Sequence, residues 1–214
     1  MATGDGRSGA RVVTIFGSYS PKPGDSLYEL AFRVGHGLAK AGCVVCNGGY
    51  DGTMEASCRG AKEAGGRTIG VTCSVFNNYR GKALRANRYV DEEIRHTSIF
   101  SRIQEMMRLG DAFVVFEGGT GTLSELAIVW EFVCKGLIDP RPIIVVGDFW
   151  SPLVERIGRV RPKHAACIVV AHDANDVVAA VQATFRQQGL IAKAVDSQTG
   201  LLDADGRTSC LKTQ

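Results

Sequence analysis

No apolar run in this 214-residue chain approaches the ~20 residues that cross a bilayer, so no membrane partner is expected. Residues 1–9 are polar and hold no apolar signal core, and a cytoplasmic location is the expectation. Charge of one sign is also scarce. Twenty-five Lys and Arg against 22 Asp and Glu leave +3, too small an excess to argue for nucleic acid. Cysteine is present without a pattern: the seven, at 43, 46, 58, 73, 134, 167 and 210, are an odd set spread mainly through apolar segments. That distribution fits reduced, buried thiols better than a disulfide framework. The single C-x-x-C, Cys43 to Cys46, falls on an expected strand, where residues three apart face opposite sides, against metal or redox chemistry.

Familiar catalytic and cofactor signatures are missing too. No G-x-G-x-x-G follows the first apolar run, and the second ends at Asn47 instead of the acid that would hold a ribose hydroxyl, which excludes the usual dinucleotide fingerprint. There is no G-x-x-x-x-G-K-[ST], no G-x-S-x-G, no H-E-x-x-H and no His/Cys cluster spaced for zinc. Neither a metal nor a cofactor is expected. Internal repeats, low-complexity tracts and an inter-domain linker are absent as well.

What is present is the 45% hydrophobic, 22% charged composition of an ordinary globular domain, with apolar runs alternating with helical periods. Strands are expected over 12–16, 43–46, 68–72, 112–116, 143–146 and 168–170. Helices are expected over 27–41, 53–64, 98–109, 123–135, 152–159 and 174–185. The alternation predicts an α/β protein: one Rossmann-like, doubly wound domain over 11–186 with a mainly parallel sheet of about six or seven strands. Residues 1–10 read as a flexible N-terminus and 187–214 as a polar tail or arm.

The most informative stretch is Glu117-Gly118-Gly119-Thr120-Gly121-Thr122-Leu123-Ser124-Glu125, where an expected strand becomes an expected helix. Glycines let a ligand approach the backbone, and the free N–H groups and dipole of a first helical turn favour an anion. Gly118, Gly119, Thr120, Gly121 and Thr122 are therefore candidate phosphate-binding residues. The bland alternative is a capping box, Thr122 capping the helix with Glu125 reaching back. Ser26-Leu-Tyr-Glu29 has the same pattern and reads as a cap only. Two further glycine turns end the first two strands: Phe16-Gly17-Ser18, and Asn47-Gly48-Gly49-Tyr50-Asp51-Gly52-Thr53-Met54-Glu55. In an open parallel sheet ligands gather at those strand ends, so Gly17, Ser18, Gly48 and Gly49 join the candidates. The ligand expected is a nucleoside monophosphate or a similar phosphate ester.

At ~100° per residue the helix near residue 100 carries Ile99, Phe100, Ile103, Met106 and Met107 on one side and Ser101, Gln104, Glu105 and Arg108 on the other. Arg102 falls within the apolar arc. Its guanidinium either binds a ligand as a planar fork, or serves a structural ion pair or snorkels outward. The helix carrying Glu125 is apolar on nearly every side, which points to burial all round and to a homodimer partner.

These motifs resemble the Lonely Guy family and its wider superfamily, members of which have been mislabelled lysine decarboxylases. The resemblance spans roughly residues 12–146. The family's P-G-G-x-G-T-x-x-E motif is matched by Gly118, Gly119, Gly121, Thr122 and Glu125, and its arginine by Arg102, followed by Glu105 and Met106. Its G-G-x-x-G-x-M segment is matched by Gly48, Gly49, Gly52 and Met54, and its glycine-serine by Gly17 and Ser18. The resemblance implies a Rossmann-like dimer that hydrolyses a nucleoside 5'-monophosphate to free base and ribose 5-phosphate, with Arg102 and Glu125 catalytic. Glu117 stands where plant-type enzymes have proline and Thr120 where they have tyrosine, while Ile99, Phe100 and Ile103 replace the flanks of their arginine. These departures are closer to a second branch that includes molybdenum-cofactor carrier proteins, and the alternative function is a non-catalytic carrier of a phosphorylated cofactor. No lysine fits a pyridoxal pocket.

Glu117 poses a charge problem, since a carboxylate ~4 Å from phosphate is repelled by ~1 kcal/mol in water and ~4 at an effective dielectric of 20. It is expected to point away or to pair with a cation such as Arg102. The basic loop at residues 80–88 reads as a solvated surface loop, with covering an anionic ligand as the alternative.

Overall fold

Short β-branched runs with alternate side chains facing opposite ways form the sheet, and amphipathic segments between them form its two helical layers. The computed structural model describes residues 9–76 and 84–199. In chain order these form β1 (Val12–Phe16), α1 (Ser26–Lys40), β2 (Val44–Asn47), α2 (Thr53–Glu63), β3 (Thr68–Cys73), a 3-10 turn (Ser74–Phe76) and β4 (Glu92–His96). There follow α3 (Ile99–Leu109), β5 (Ala112–Val115), α4 (Thr120–Cys134), β6 (Ile143–Val146), α5 (Ser151–Val160), α6 (Pro162–Ala165), β7 (Ile168–Ala171) and α7 (Ala174–Thr199). All seven strands pair in parallel in the order β4-β3-β2-β1-β5-β6-β7. The chain winds one way from β1 to β4 and then crosses to the other side of β1 to lay down β5. The topological switch point therefore lies between β1 and β5, where a Rossmann-like sheet opens a crevice at its carboxyl edge.

One face of the sheet presents Val13, Ile15, Val45, Val114 and Ile144 to α1, α2 and α7. The other presents Phe16, Cys46, Val71, Phe113, Val115 and Val145 to α3, α4 and α5. Cys43 and Cys46 fall on these opposite faces, as residues three apart on a strand must. The six described cysteines are free, and Cys210 lies outside the described residues. Helices α1 and α2 pack backbone to backbone. A Cβ on Gly35 would collide with the Ser57 carbonyl, and one on Gly60 with the Phe32 carbonyl.

Several elements differ from the sequence expectation. Strand β4, Glu-Glu-Ile-Arg-His, was not expected because only Ile94 is apolar. It is an edge strand, where charge suits solvent and blocks further pairing. The one-turn α6 was not expected either. Asp25, not Ser26, occupies the N-cap of α1, and its carboxylate accepts the Lys22 N–H instead of a helix N–H; Glu29 accepts from Gly24. Helix α7 continues through Thr199, beyond the expected end at 185. The expected ends at residues 1–8 and 200–214 lie outside the described residues. Nor is α4 buried all round within the chain: Leu126, Val129 and Trp130 face the sheet, while Leu123 is 39% exposed and Ala127 is exposed.

Candidate functional site

Three glycine turns meet at the carboxyl edge. After β1, Gly17 packs close enough to Thr53 that a Cβ there would lie 2.5 Å from the threonine hydroxyl. Ser18 accepts hydrogen bonds at its carbonyl from the Thr53 N–H (2.9 Å) and hydroxyl (3.0 Å), which ties this turn to the start of α2. After β2, Asn47 braces the second turn. Its Oδ1 accepts the Gly49 N–H at 2.8 Å and its Nδ2 donates to the Met54 carbonyl at 3.0 Å. Gly49 and Gly52 have φ of 78° and 71°, the left-handed region open to glycine.

After β5 the chain enters α4 three residues earlier than its pattern indicated. Gly119 is the N-cap, with no side-chain cap, and the helix begins at Thr120. The first-turn N–H groups of Thr120, Gly121 and Thr122 thus have no acceptor in the helix. The space beside Gly119 and Gly121 is open: a Cβ on either would meet nothing within 4 Å. Thr122 is buried, its hydroxyl packed on Gly118. Thr122 and Glu125 therefore do not form a capping box, because the helix starts too early for either to reach a cap position.

Glu125 instead lies in the second turn of α4, only 9% exposed, where its Oε1 accepts from Arg102 Nη1 at 3.3 Å. Arg102 is 7% exposed and donates from Nε to the Val71 carbonyl at 2.7 Å. Its guanidinium carbon sits 5.7 Å from the Tyr50 ring centroid and 5.8 Å from that of Phe76, within cation–π range. Tyr50 is fixed in turn: its hydroxyl donates to the Cys73 carbonyl (3.0 Å) and accepts the Cys73 N–H (2.8 Å). Arg102 Nη2 lies where a Cβ on Gly48 would go, so that glycine makes room for the guanidinium. Burial is the larger influence on Glu125 and outweighs Arg102, raising its pKa from 4.5 to about 7. A buried carboxyl that changes charge near neutral pH beside a fixed guanidinium can accept a proton or steady a developing positive charge.

Of the candidates, Arg102, Glu125 and Gly48 gather on the α3–α4 face of the sheet. Ser18 and Gly118 line a cavity of about 550 Å³ at the same carboxyl edge, also bordered by Ser20, Asp25, Glu117 and Phe149. Gly118, which borders the cavity, directly precedes the Gly119 N-cap of the helix that carries Glu125. Glu117 does not pair with Arg102, whose guanidinium is bound to Glu125 and the Val71 carbonyl. It is exposed, lines the cavity, and has no hydrogen-bond or ion-pair partner among the described residues. Of the basic loop at residues 80–88, residues 80–83 lie outside the described residues, while Arg85 and Arg88 are exposed. Tyr50, Phe76 and Phe149 were not singled out from sequence. An aromatic inside the second glycine turn was the available signal for Tyr50; none existed for the other two. Among the described residues no group of three or more His, Cys, Asp or Glu is placed to hold a metal ion, and no helix is long and apolar enough to cross a membrane.

Sheet order, glycine turns and a buried Arg–Glu pair at the carboxyl edge define a Rossmann-like α/β protein. The chain belongs to the SLOG cluster4 family, whose sequence profile matches residues 10–182, in line with the Lonely Guy resemblance. It is 32% identical over 182 residues to a Mycobacterium tuberculosis protein named cytokinin riboside 5'-monophosphate phosphoribohydrolase, covering 81% of this chain and 94% of that one. An uncharacterized protein of Archaeoglobus fulgidus is 36% identical over 123 residues, 58% of this chain and 77% of its own. In fold the chain is similar to the molybdenum cofactor carrier protein of Chlamydomonas reinhardtii, with a TM-score of 0.65 at 23% identity over 83% of this chain and 99% of that one.

Proposed function

We propose that the protein hydrolyses the N-glycosidic bond of a nucleoside 5'-monophosphate, releasing free base and ribose 5-phosphate. The observation that carries this reading is the buried Arg102–Glu125 pair, one turn from the open N-terminus of α4. The naming of the M. tuberculosis relative supports it. The N–H groups of residues 119–122 receive the 5'-phosphate, with the helix dipole favouring its charge. Arg102 orients the ribose phosphate. Glu125, as carboxylate, holds ribose hydroxyls or takes a proton from the attacking water while positive charge builds on the sugar. Water supplies hydroxyl to the anomeric carbon and a proton to the base. Gly17, Ser18, Gly48 and Gly49 shape the crevice around this pair. The active form is a homodimer in the cytoplasm, formed through the exposed apolar stripe of α4 at Leu123 and Ala127, with Phe100, 80% exposed, on nearby α3.

The test is incubation with AMP and with N6-prenylated AMP, followed by assay of free base. Release from either is expected, and Glu125→Gln is expected to bind the nucleotide and lose turnover. No release from any nucleotide, with tight binding of a phosphorylated pterin, would replace the hydrolase by a carrier.

A further inference from the structure

The six described cysteines fall into two groups. Cys43, Cys46, Cys58 and Cys73 are buried, whereas Cys134 and Cys167 are only part-buried. Burial pushes the Cys46 and Cys58 thiols up to about 12, which leaves them protonated and inert. Cys134 ends α4 and Cys167 stands just before β7, 33 positions further along the chain. Their sulfur atoms nevertheless lie 3.0 Å apart, about 1 Å beyond the ~2.05 Å of a bonded disulfide. The neighbourhood holds them there. The Trp130 indole N–H donates to the His164 carbonyl at 2.8 Å, which ties the end of α4 to α6, and Cys167 Sγ donates to the Lys163 carbonyl at 3.4 Å. Lys135 and Ala166, the chain neighbours of the two cysteines, are exposed, so a small solute reaches the pair. Burial and then the adjacent Cys167 sulfur push the Cys134 thiol up to about 12; it keeps its proton and donates it in a hydrogen bond to Cys167 Sγ. Cys167 is thus the nucleophile and Cys134 the thiol in waiting.

We propose that Cys134 and Cys167 form a reversible redox modification site, which closes to a disulfide by exchange with a low-molecular-weight disulfide. The Cys167 thiol loses its proton to water and attacks one sulfur of the reagent, forming a mixed disulfide and releasing one reagent thiolate, which takes a proton from water. The Cys167 charge that opposed ionisation of Cys134 is then gone. Cys134 loses its proton to solvent and attacks Cys167 Sγ, and the second reagent thiolate leaves and is protonated. Two protein thiols are oxidised, and one reagent disulfide is reduced to two thiols. The bond staples the end of α4 to the segment entering β7 and restricts the unfolded chain over 33 residues. Part exposure leaves it open to attack by returning thiols, so a reductant reopens it. The site does not depend on the hydrolase reading.

The experiment treats the full chain and its Cys210→Ser, Cys134→Ser and Cys167→Ser variants with oxidised glutathione at neutral pH. Intact mass, peptide mapping, thiol counting and thermal melts are the readouts. Wild type and Cys210→Ser each lose two thiols and the mass of two hydrogens, give a cross-linked peptide pair joining 134 to 167, and gain about 5–10 °C in Tm, reversed by dithiothreitol. Cys134→Ser keeps one glutathione on Cys167, while Cys167→Ser reacts at least about tenfold more slowly than wild type. A glutathione that stays on wild-type Cys167, a cross-link through Cys210 in place of this one, or a mapped 134 to 167 bond that leaves the Tm unchanged or lower overturns the site. Base release is not among the readouts, so each of these results leaves the hydrolase reading standing.

Discussion

At the scale of single residues, the site depends on how Arg102 is held. It has a carbonyl below it, two aromatic rings beside it and a glycine where a side chain would stand. Gly48→Ala places a methyl group on Nη2 and is expected to displace the guanidinium. Base release should fall at least ~10-fold while the chain stays folded, as checked by kcat/KM and circular dichroism. Glu125 gives a pH signature. The unfolded carboxyl ionises near 4.5, whereas the folded one keeps its proton to about 7. Between those values the folded state binds the extra proton, so this group's contribution makes stability fall as pH rises, levelling off above about 7. Glu125→Gln removes that slope. Its Tm advantage over wild type should grow from about pH 5 to about pH 7 and then hold constant in thermal melts. Base release should rise with pH through the same region, since the carboxylate is the working form. Replacing Arg102 by Met should move that acidic limb upward, because the guanidinium favours the charged carboxylate.

At the scale of elements, α4 is where local pattern and tertiary structure part. Gly119-Thr120-Gly121 is a poor helix-forming run, so the pattern placed the helix start at Leu123. Packing of Leu126, Val129 and Trp130 on the sheet carries the helix back to Thr120, and the early start puts free N–H groups, not a capping box, at the mouth of the crevice. The apolar strands were legible to within a residue at either end. β4 was not, because an edge strand has no apolar alternation to read. The α1–α2 contact gives an element-level prediction. Gly60→Ala drives a methyl group into the Phe32 carbonyl of α1 and is expected to cost roughly 1–3 kcal/mol, measured by urea unfolding, without changing nucleotide binding.

At the scale of the whole molecule, the apolar stripe on α4 at Leu123 and Ala127 is not covered by the described residues. A dimer is expected in solution, and Leu123→Glu, which puts a charge on the 39% exposed Leu123, should yield a monomer by light scattering. What the sequence determined by itself was the α/β class, the parallel strands, the glycine turns at three strand ends and the odd position of Arg102 in an apolar arc. Each is a local or periodic property, set by side-chain size, backbone freedom and hydrophobic spacing. Only the tertiary structure decided that Arg102 pairs with Glu125, that Tyr50 and Phe76 brace it, and that Glu117 lines a cavity with Ser18, Asp25 and Phe149. Those facts depend on strand order and on the face from which each helix packs, which bring together residues far apart in the chain. No spacing within one segment records which segments will meet.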